Sequence, residues 1–210
     1  MPTKTNPPEL YRKHFIDKQD ERLGLFTLLA ERFTVCSALY PGSFTHLTPS
    51  FVFPVTSYVD CDRRAARFFT DPSLLDFIHA RKTYPEAPKV RFHPQDYTQA
   101  LAEEPESFDL LISQYAGFVS QACKRYLKPG GILLANNSHG DAGMASIDPD
   151  YAFIAAVNRR GEKFSLVEKN LEAYFVPKKE IEVTKAYLEH TGKGVGYRKS
   201  AFSYLFRRVR

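Results

Sequence analysis

The stretch Thr34-Val-Cys-Ser-Ala-Leu-Tyr-Pro-Gly-Ser-Phe-Thr-His-Leu-Thr-Pro-Ser50 constrains this chain more than any other. Val35, Cys36, Ala38 and Leu39 form a short apolar run that stops at Tyr40-Pro41-Gly42. Thr48-Pro49 then supplies a helix cap and a proline suited to a first helical position. The pattern reads as strand, tight turn and helix start. Such a turn brings backbone N–H groups to the carboxyl end of a buried strand, where open α/β sheets hold their ligands.

The flanking sequence supplies the rest of such a sheet. Residues 1–19 carry three prolines and no sustained periodicity, and read as an irregular N-terminal arm before a single domain over 20–210. Phe26, Leu29, Ala30 and Phe33 have the spacing of one helical face. Thr56–Asp62 reads as a second strand closing on acids, followed by helices over Arg63–Phe69 and after Asp71-Pro72, the latter with Leu74, Phe77 and Ile78 inward. Lys89–His93 alternates as a third strand. Phe108–Gln114, apolar from Leu110 to Ile112, fits a central parallel strand buried on both faces.

Further along, Val119, Ala122, Cys123, Tyr126 and Leu127 return to helical spacing until Lys128-Pro-Gly-Gly131 ends it, and Ile132–Ala135 follows as a fifth strand. Asp148-Pro149 predicts a helix with Phe153, Ala156 and Val157 inward and its end at Gly161. Phe164–Glu168 reads as strand six, Ala173–Val176 as an additional short strand, Ile181–His190 as a helix and Ala201–Phe206 as the last strand. Strands alternating with helices predict one α/β domain with a mainly parallel sheet.

Composition narrows the class. A chain of 210 residues with 43% hydrophobic and 25% charged residues is ordinary for a globular domain with a sizeable core. No stretch approaches the ~18 apolar residues of a membrane span, and the N-terminus has no apolar leader, so the expected location is cytoplasmic, with no membrane contact. The three cysteines, Cys36, Cys61 and Cys123, lack metal-ligand spacing and are expected as small buried hydrophobes, with no metal site. The net charge of +5 permits contact with nucleic acid without demanding it, and the basic pairs toward the C-terminus suit a solvated surface.

Four segments together resemble the class I S-adenosylmethionine-dependent methyltransferases: the first strand with Tyr40-Pro-Gly-Ser43, the strand ending Tyr58-Val-Asp-Cys-Asp62, Phe108-Asp-Leu-Leu-Ile-Ser113, and Tyr126-Leu-Lys-Pro-Gly-Gly-Ile-Leu-Leu134. The resemblance spans about residues 20–206. It implies a Rossmann-like, seven-stranded, mainly parallel sheet with helices on both faces and a reversed last strand, and S-adenosylmethionine as cofactor. It would place Tyr40, Gly42 and Ser43 against the cofactor's amino-acid end, Asp60 or Asp62 at its ribose and Asp96 at its adenine. Ser113, Gln114 and Tyr115 would stand at the methyl-transfer centre, where they orient an acceptor. Asp60 follows Gly42 by eighteen positions, near the ~20 of an acidic ribose ligand.

Each residue has a structural role open to it as well. Asp60 or Asp62 can cap the next helix, Asp96 can belong to a turn, and Asn136, Asn137, His139 and His46 can satisfy loop backbone. The first loop carries a single glycine, and Phe44 stands where the family has another. The leading expectation is a methyltransferase acting on an unspecified methyl acceptor; small molecule, RNA base and protein side chain all remain open. The alternative is a non-catalytic module of the same fold that binds RNA or protein and no cofactor.

Overall fold

The computed structural model describes residues 6–210, so of the expected arm residues 1–5 lie outside the described part. Among the described residues eight strands form one sheet: β1 (Ser37–Pro41), β2 (Val55–Val59), β3 (Lys89–His93), β4 (Phe108–Ser113), β5 (Leu127–Ala135), β6 (Tyr151–Arg160), β7 (Lys163–Val167) and β8 (Ser203–Arg208). Their spatial order is β3-β2-β1-β4-β5-β8-β6-β7. The first five are mutually parallel, and β8 enters antiparallel between β5 and β6. The reversed last strand is therefore present, but the sheet has eight strands rather than seven, because β7 adds an antiparallel edge to β6.

The alternation along β4 shows why this sheet needs cover on both faces. Leu110 and Ile112 pack on one side with Tyr11, Leu25, Phe26, Leu29, Phe68 and Phe77, and Leu111 packs on the other with Val119, Cys123, Tyr126 and Ala145. The first face is covered by α1 (Glu9–Tyr11), α2 (Leu23–Arg32), α3 (Arg63–Phe69) and α4 (Ser73–Arg81); the second by α5 (Val119–Ala122) and α6 (Asp141–Ile147). A last helix, α7 (Lys185–Thr191), packs with Met144 and Tyr197 in a smaller cluster. Among the described residues no helix is long and apolar enough to cross a membrane.

Several expectations need correction. Residues 151–160 form β6, not the helix expected after Asp148-Pro149, and the helix lies before them at Asp141–Ile147. The inward set Phe153, Ala156 and Val157 is met by β8 and β7, so partner strands decided an ambiguous apolar run. Ala173–Val176 is no strand: Leu171–Ala173 is a 3-10 turn, and Tyr174 makes only an isolated bridge to Lys199. The helix expected through Leu127 ends sooner, in a 3-10 turn over Lys124–Tyr126, because Leu127 already pairs with Phe108 at the head of β5.

The arm is also more ordered than its prolines suggest. Residues 9–16 are helical, α1 running into a π-helical turn, and Tyr11 is fully buried. Its hydroxyl donates to Glu21 Oε1 at 2.5 Å and lies 2.8 Å from Thr48 Oγ1.

Two carboxylates lock the sheet's loops. At the amino end, Asp109 Oδ2 accepts the backbone N–H groups of Cys36 and Ser37, both at 2.9 Å, and Lys128 Nζ donates to Oδ1 at 2.6 Å. At the carboxyl end, buried Asp141 accepts the hydroxyls of Ser113 and Ser120 and the backbone N–H of Ser120, tying β4, α5 and α6 together. Burial pushes its carboxyl up from 3.8 to about 6, with the two serines opposing that rise.

Two expectations about behaviour follow from this packing. Cys36 and Cys61 are exposed, against the expectation that all three thiols are buried, because they flank β1 and β2 instead of lying in them; only Cys123 is buried. Titration of the native protein with a chromogenic thiol reagent should release two equivalents quickly and the third only on unfolding; three fast equivalents would contradict this placement. For Asp141 the sign is set by a folded value above the ordinary one. Its carboxyl costs the fold nothing below about pH 4, and the cost grows to completion above about pH 6. Relative to wild type, Asp141→Asn should therefore gain on the order of 2–3 kcal/mol in urea unfolding between pH 4 and pH 7. A difference independent of pH would show that Asp141 is charged throughout that range.

Candidate functional site

β1 ends where the backbone must turn sharply over its neighbours. Gly42 takes φ +65°, a left-handed geometry that glycine adopts without steric cost, and its N–H donates to the Val59 carbonyl at 2.8 Å. A Cβ at Gly42 would stand 2.7 Å from that of Ala116, so the loop after β4 rests directly on the β1 turn. Phe44 also has positive φ, +46°, in a position where the resembled family has glycine. That conformation is costly for a phenylalanine, and it is held by a 2.7 Å hydrogen bond from the Phe44 N–H to Asp60 Oδ2. The ring itself packs between the His14 ring, 5.1 Å away edge to face, and the Arg64 guanidinium at 4.9 Å.

Asp60 stands just beyond β2. Its second oxygen, Oδ1, accepts the Asp62 N–H at 2.8 Å, so both oxygens face backbone donors and each retains one lone-pair direction. The carboxylate is thus fixed in orientation with two acceptor sites to spare, which suits a vicinal diol. Asp62 is the N-cap of α3: it accepts the Arg64 N–H at 2.7 Å and pairs with the Arg64 guanidinium at 2.6 Å, which holds its carboxyl down at about 2. Asp96 is exposed and accepts the Thr98 N–H and hydroxyl at 2.8 and 2.9 Å in a local turn.

After β4 the three singled-out residues face different ways. Ser113 is buried and donates to Asp141, and Gln114 is buried with its amide donating to Ser203 Oγ at 3.1 Å. Tyr115 is 53% exposed, has φ +60°, and lays its ring 4.9 Å from the Arg22 guanidinium. Its N–H donates to Asn136 Oδ1, which also accepts the Ser138 hydroxyl at 2.8 Å. Asn137 reaches instead to the Val195 carbonyl, and His139 lies beside the Ser138 hydroxyl.

The N-terminal segment closes the other side of the β1 turn. Ser43 is buried below the loop. Buried His46 has its Nε2 2.9 Å from the Glu21 carbonyl, which can only accept, so Nε2 carries the proton and Nδ1 receives the Tyr40 hydroxyl at 3.1 Å. Burial and the nearby Arg22 charge push His46 down to about 3, and burial raises the Tyr40 phenol to about 12. Arg22 itself caps α2 at φ +57° and is 7% exposed; Nε and Nη2 donate to Asp20, while Nη1 is buried with no hydrogen-bond partner.

The structure thus gathers Tyr40, Gly42, Ser43, Asp60, Asp62 and Ser113–Tyr115 at the carboxyl edge of the sheet and sets Asp96 on a surface turn. Arg22 and Asp141 were not foreseen. Arg22 lies in the charged run Asp20-Glu-Arg22, and Asp141 follows a loop of small polar residues; neither context distinguishes a buried charge from a solvated one. Among the described residues no group of His, Cys, Asp and Glu could hold a metal ion.

Comparison with known proteins bears on the fold. No family model and no curated protein matches the sequence. Among solved structures, a SAM-dependent methyltransferase from Thermotoga maritima, described as a possible histamine N-methyltransferase, superposes with a TM-score of 0.52 over 96% of this chain and 95% of that one, at 12% identity. A methyltransferase from Geobacter sulfurreducens gives 0.46 over 75% and 83%, at 17% identity. The [4+2]-cyclase SpnF gives 0.41 at 18% identity over 56% of this chain, which spans less than half, 45%, of that one. With its parallel β1–β5, its antiparallel β8 inserted between β5 and β6, and that full-length superposition, the chain has the fold of the class I S-adenosylmethionine-dependent methyltransferases.

Proposed function

We propose that this protein is an S-adenosylmethionine-dependent methyltransferase, acting on an acceptor that nothing in the site singles out. The observation that carries the reading is Asp60: a carboxylate at the end of β2, oriented by the Phe44 and Asp62 N–H groups, with lone pairs left for two hydroxyls. The residues suit the cofactor at this end because the Phe44 ring is packed against His14 and Arg64. When bound, the cofactor supplies an electrophilic methyl group on a sulfonium.

The chain's own contribution would be positional. Gly42, covered by Ala116, would brace the loop beside the ligand, Asp60 would hold the ribose, and Tyr115, the solvent-facing residue of the three after β4, would border the acceptor. Ser113 and Gln114 would keep the β4 loop in place through Asp141 and Ser203. No strong base is needed for a transfer driven by alignment of acceptor, methyl and sulfur.

Calorimetry with S-adenosylmethionine and S-adenosylhomocysteine tests this. Wild type should bind both, and Asp60→Asn should weaken both by about 10- to 100-fold, as expected for loss of a charged acceptor worth about 1.5–3 kcal/mol. Heat from neither ligand at high protein concentration would overturn the reading, as would unchanged affinity in a folded Asp60→Asn protein.

A further inference from the structure

Among the described residues, Arg22 is the one charged side chain with a buried polar atom that meets no hydrogen-bond partner. Its guanidinium is 5% exposed, its Nε and Nη2 are both spent on Asp20 Oδ2, and Nη1 has no hydrogen-bond partner. A buried N–H of a charged group left unpaired costs free energy, and such atoms are rare in folded proteins unless a ligand or water completes them. The cation cannot escape by neutralising, since arginine keeps its proton at any ordinary pH. The surroundings do not saturate it either: Asp20 is shared with Arg159, whose Nη1 donates to Oδ1 at 2.6 Å, so one carboxylate serves two guanidinium groups.

The position of this surplus charge matters. Arg22 lies under the exposed Tyr115 ring and beside Tyr40, whose phenol feels its charge and a loose side-chain contact with it, although Nη1 does not reach hydrogen-bond geometry there. Tyr40 is two residues before Gly42, and Tyr115 is next to Ala116, which covers Gly42. The space directly over Gly42 is therefore taken by Ala116, and a ligand whose diol sits on Asp60 must direct its other end beside that contact. On one side of it stand Tyr115 and, beneath its ring, the guanidinium. Tyr115 is half exposed and held in a left-handed backbone conformation, so its ring lies over the guanidinium without being locked into the core.

Resting on the methyltransferase reading, we infer that Arg22 is the anion-holding residue of the site, its free Nη1 receiving the carboxylate at the amino-acid end of the cofactor once the Tyr115 ring shifts. Asp20 acts as a positioning residue that fixes the guanidinium through Nε and Nη2 and leaves the third nitrogen for the ligand.

The test compares two ligands by calorimetry: S-adenosylhomocysteine, and its decarboxylated analogue, which keeps the nucleoside, thioether and amine. Wild type should bind the first at least about tenfold more tightly, a difference of about 1.4 kcal/mol. In Arg22→Gln that preference should fall to within about twofold, with affinity for the decarboxylated analogue unchanged. Arg22→Lys, which keeps the charge beside Asp20, serves if the glutamine variant does not fold, and should lose most of the preference because an ammonium lacks the planar fork. Equal binding of both ligands by wild type, or a preference that survives in the variants, would overturn the role of Arg22 while leaving the methyltransferase reading intact. Failure of wild type to bind either ligand would remove both.

Discussion

The carboxylate of Asp60 governs the shape of this site. Its two oxygens hold the N–H groups of Phe44 and Asp62, so one side chain sets both the loop after β1 and the entry to α3. The bond to Phe44 keeps a bulky residue in a backbone conformation that normally selects glycine. A loop without the expected second glycine thus takes a glycine-like bend, because an acid just beyond the neighbouring strand stabilises it. The phenyl ring packs on His14 and Arg64.

The N-terminal segment then becomes part of the site's construction. His14, Phe15 and Tyr11 meet the β1 loop and the following 3-10 turn, the Phe15 ring stacking on His46 at 4.4 Å. His46 is kept neutral and in one tautomer between Tyr40 and the Glu21 carbonyl, and the next residue, Arg22, carries the buried charge. Glu21 links the Tyr11 hydroxyl to Arg81 of α4 at 2.7 Å, so the polar network behind the site is continuous with the core of one sheet face. Such a network is demanding, because an unpaired member inside it would be costly.

Much of the fold was legible because each of the first five strands carries its own local signal. Val55–Val59 and Lys89–His93 end at acids or proline, Phe108–Ser113 is apolar enough to require two covered faces, and Lys128-Pro-Gly-Gly131 marks the return into β5. The later half was less legible because Tyr151–Arg160 has apolar residues that suit a helix face as well as a strand, and only pairing with β8 and β7 decides between them. The site divides in the same way. Gly42 and Asp60 meet through the β1 turn and the Phe44 N–H, whereas Asp62 caps α3 and Asp96 holds a local turn, roles the same letters permit equally well.

Local chemistry along the chain was enough to establish a mainly parallel α/β sheet with a sharp turn at the end of β1, since hydrophobic period, proline, glycine and capping residues act over a few positions. Long-range contact decided the rest. Arg22 is buried because Tyr115, 93 positions later, covers it, and Asp141 is buried because Ser113 and Ser120 close around it. Whether a charge is solvated or enclosed depends on which distant segment packs over it, and a linear pattern does not carry that information.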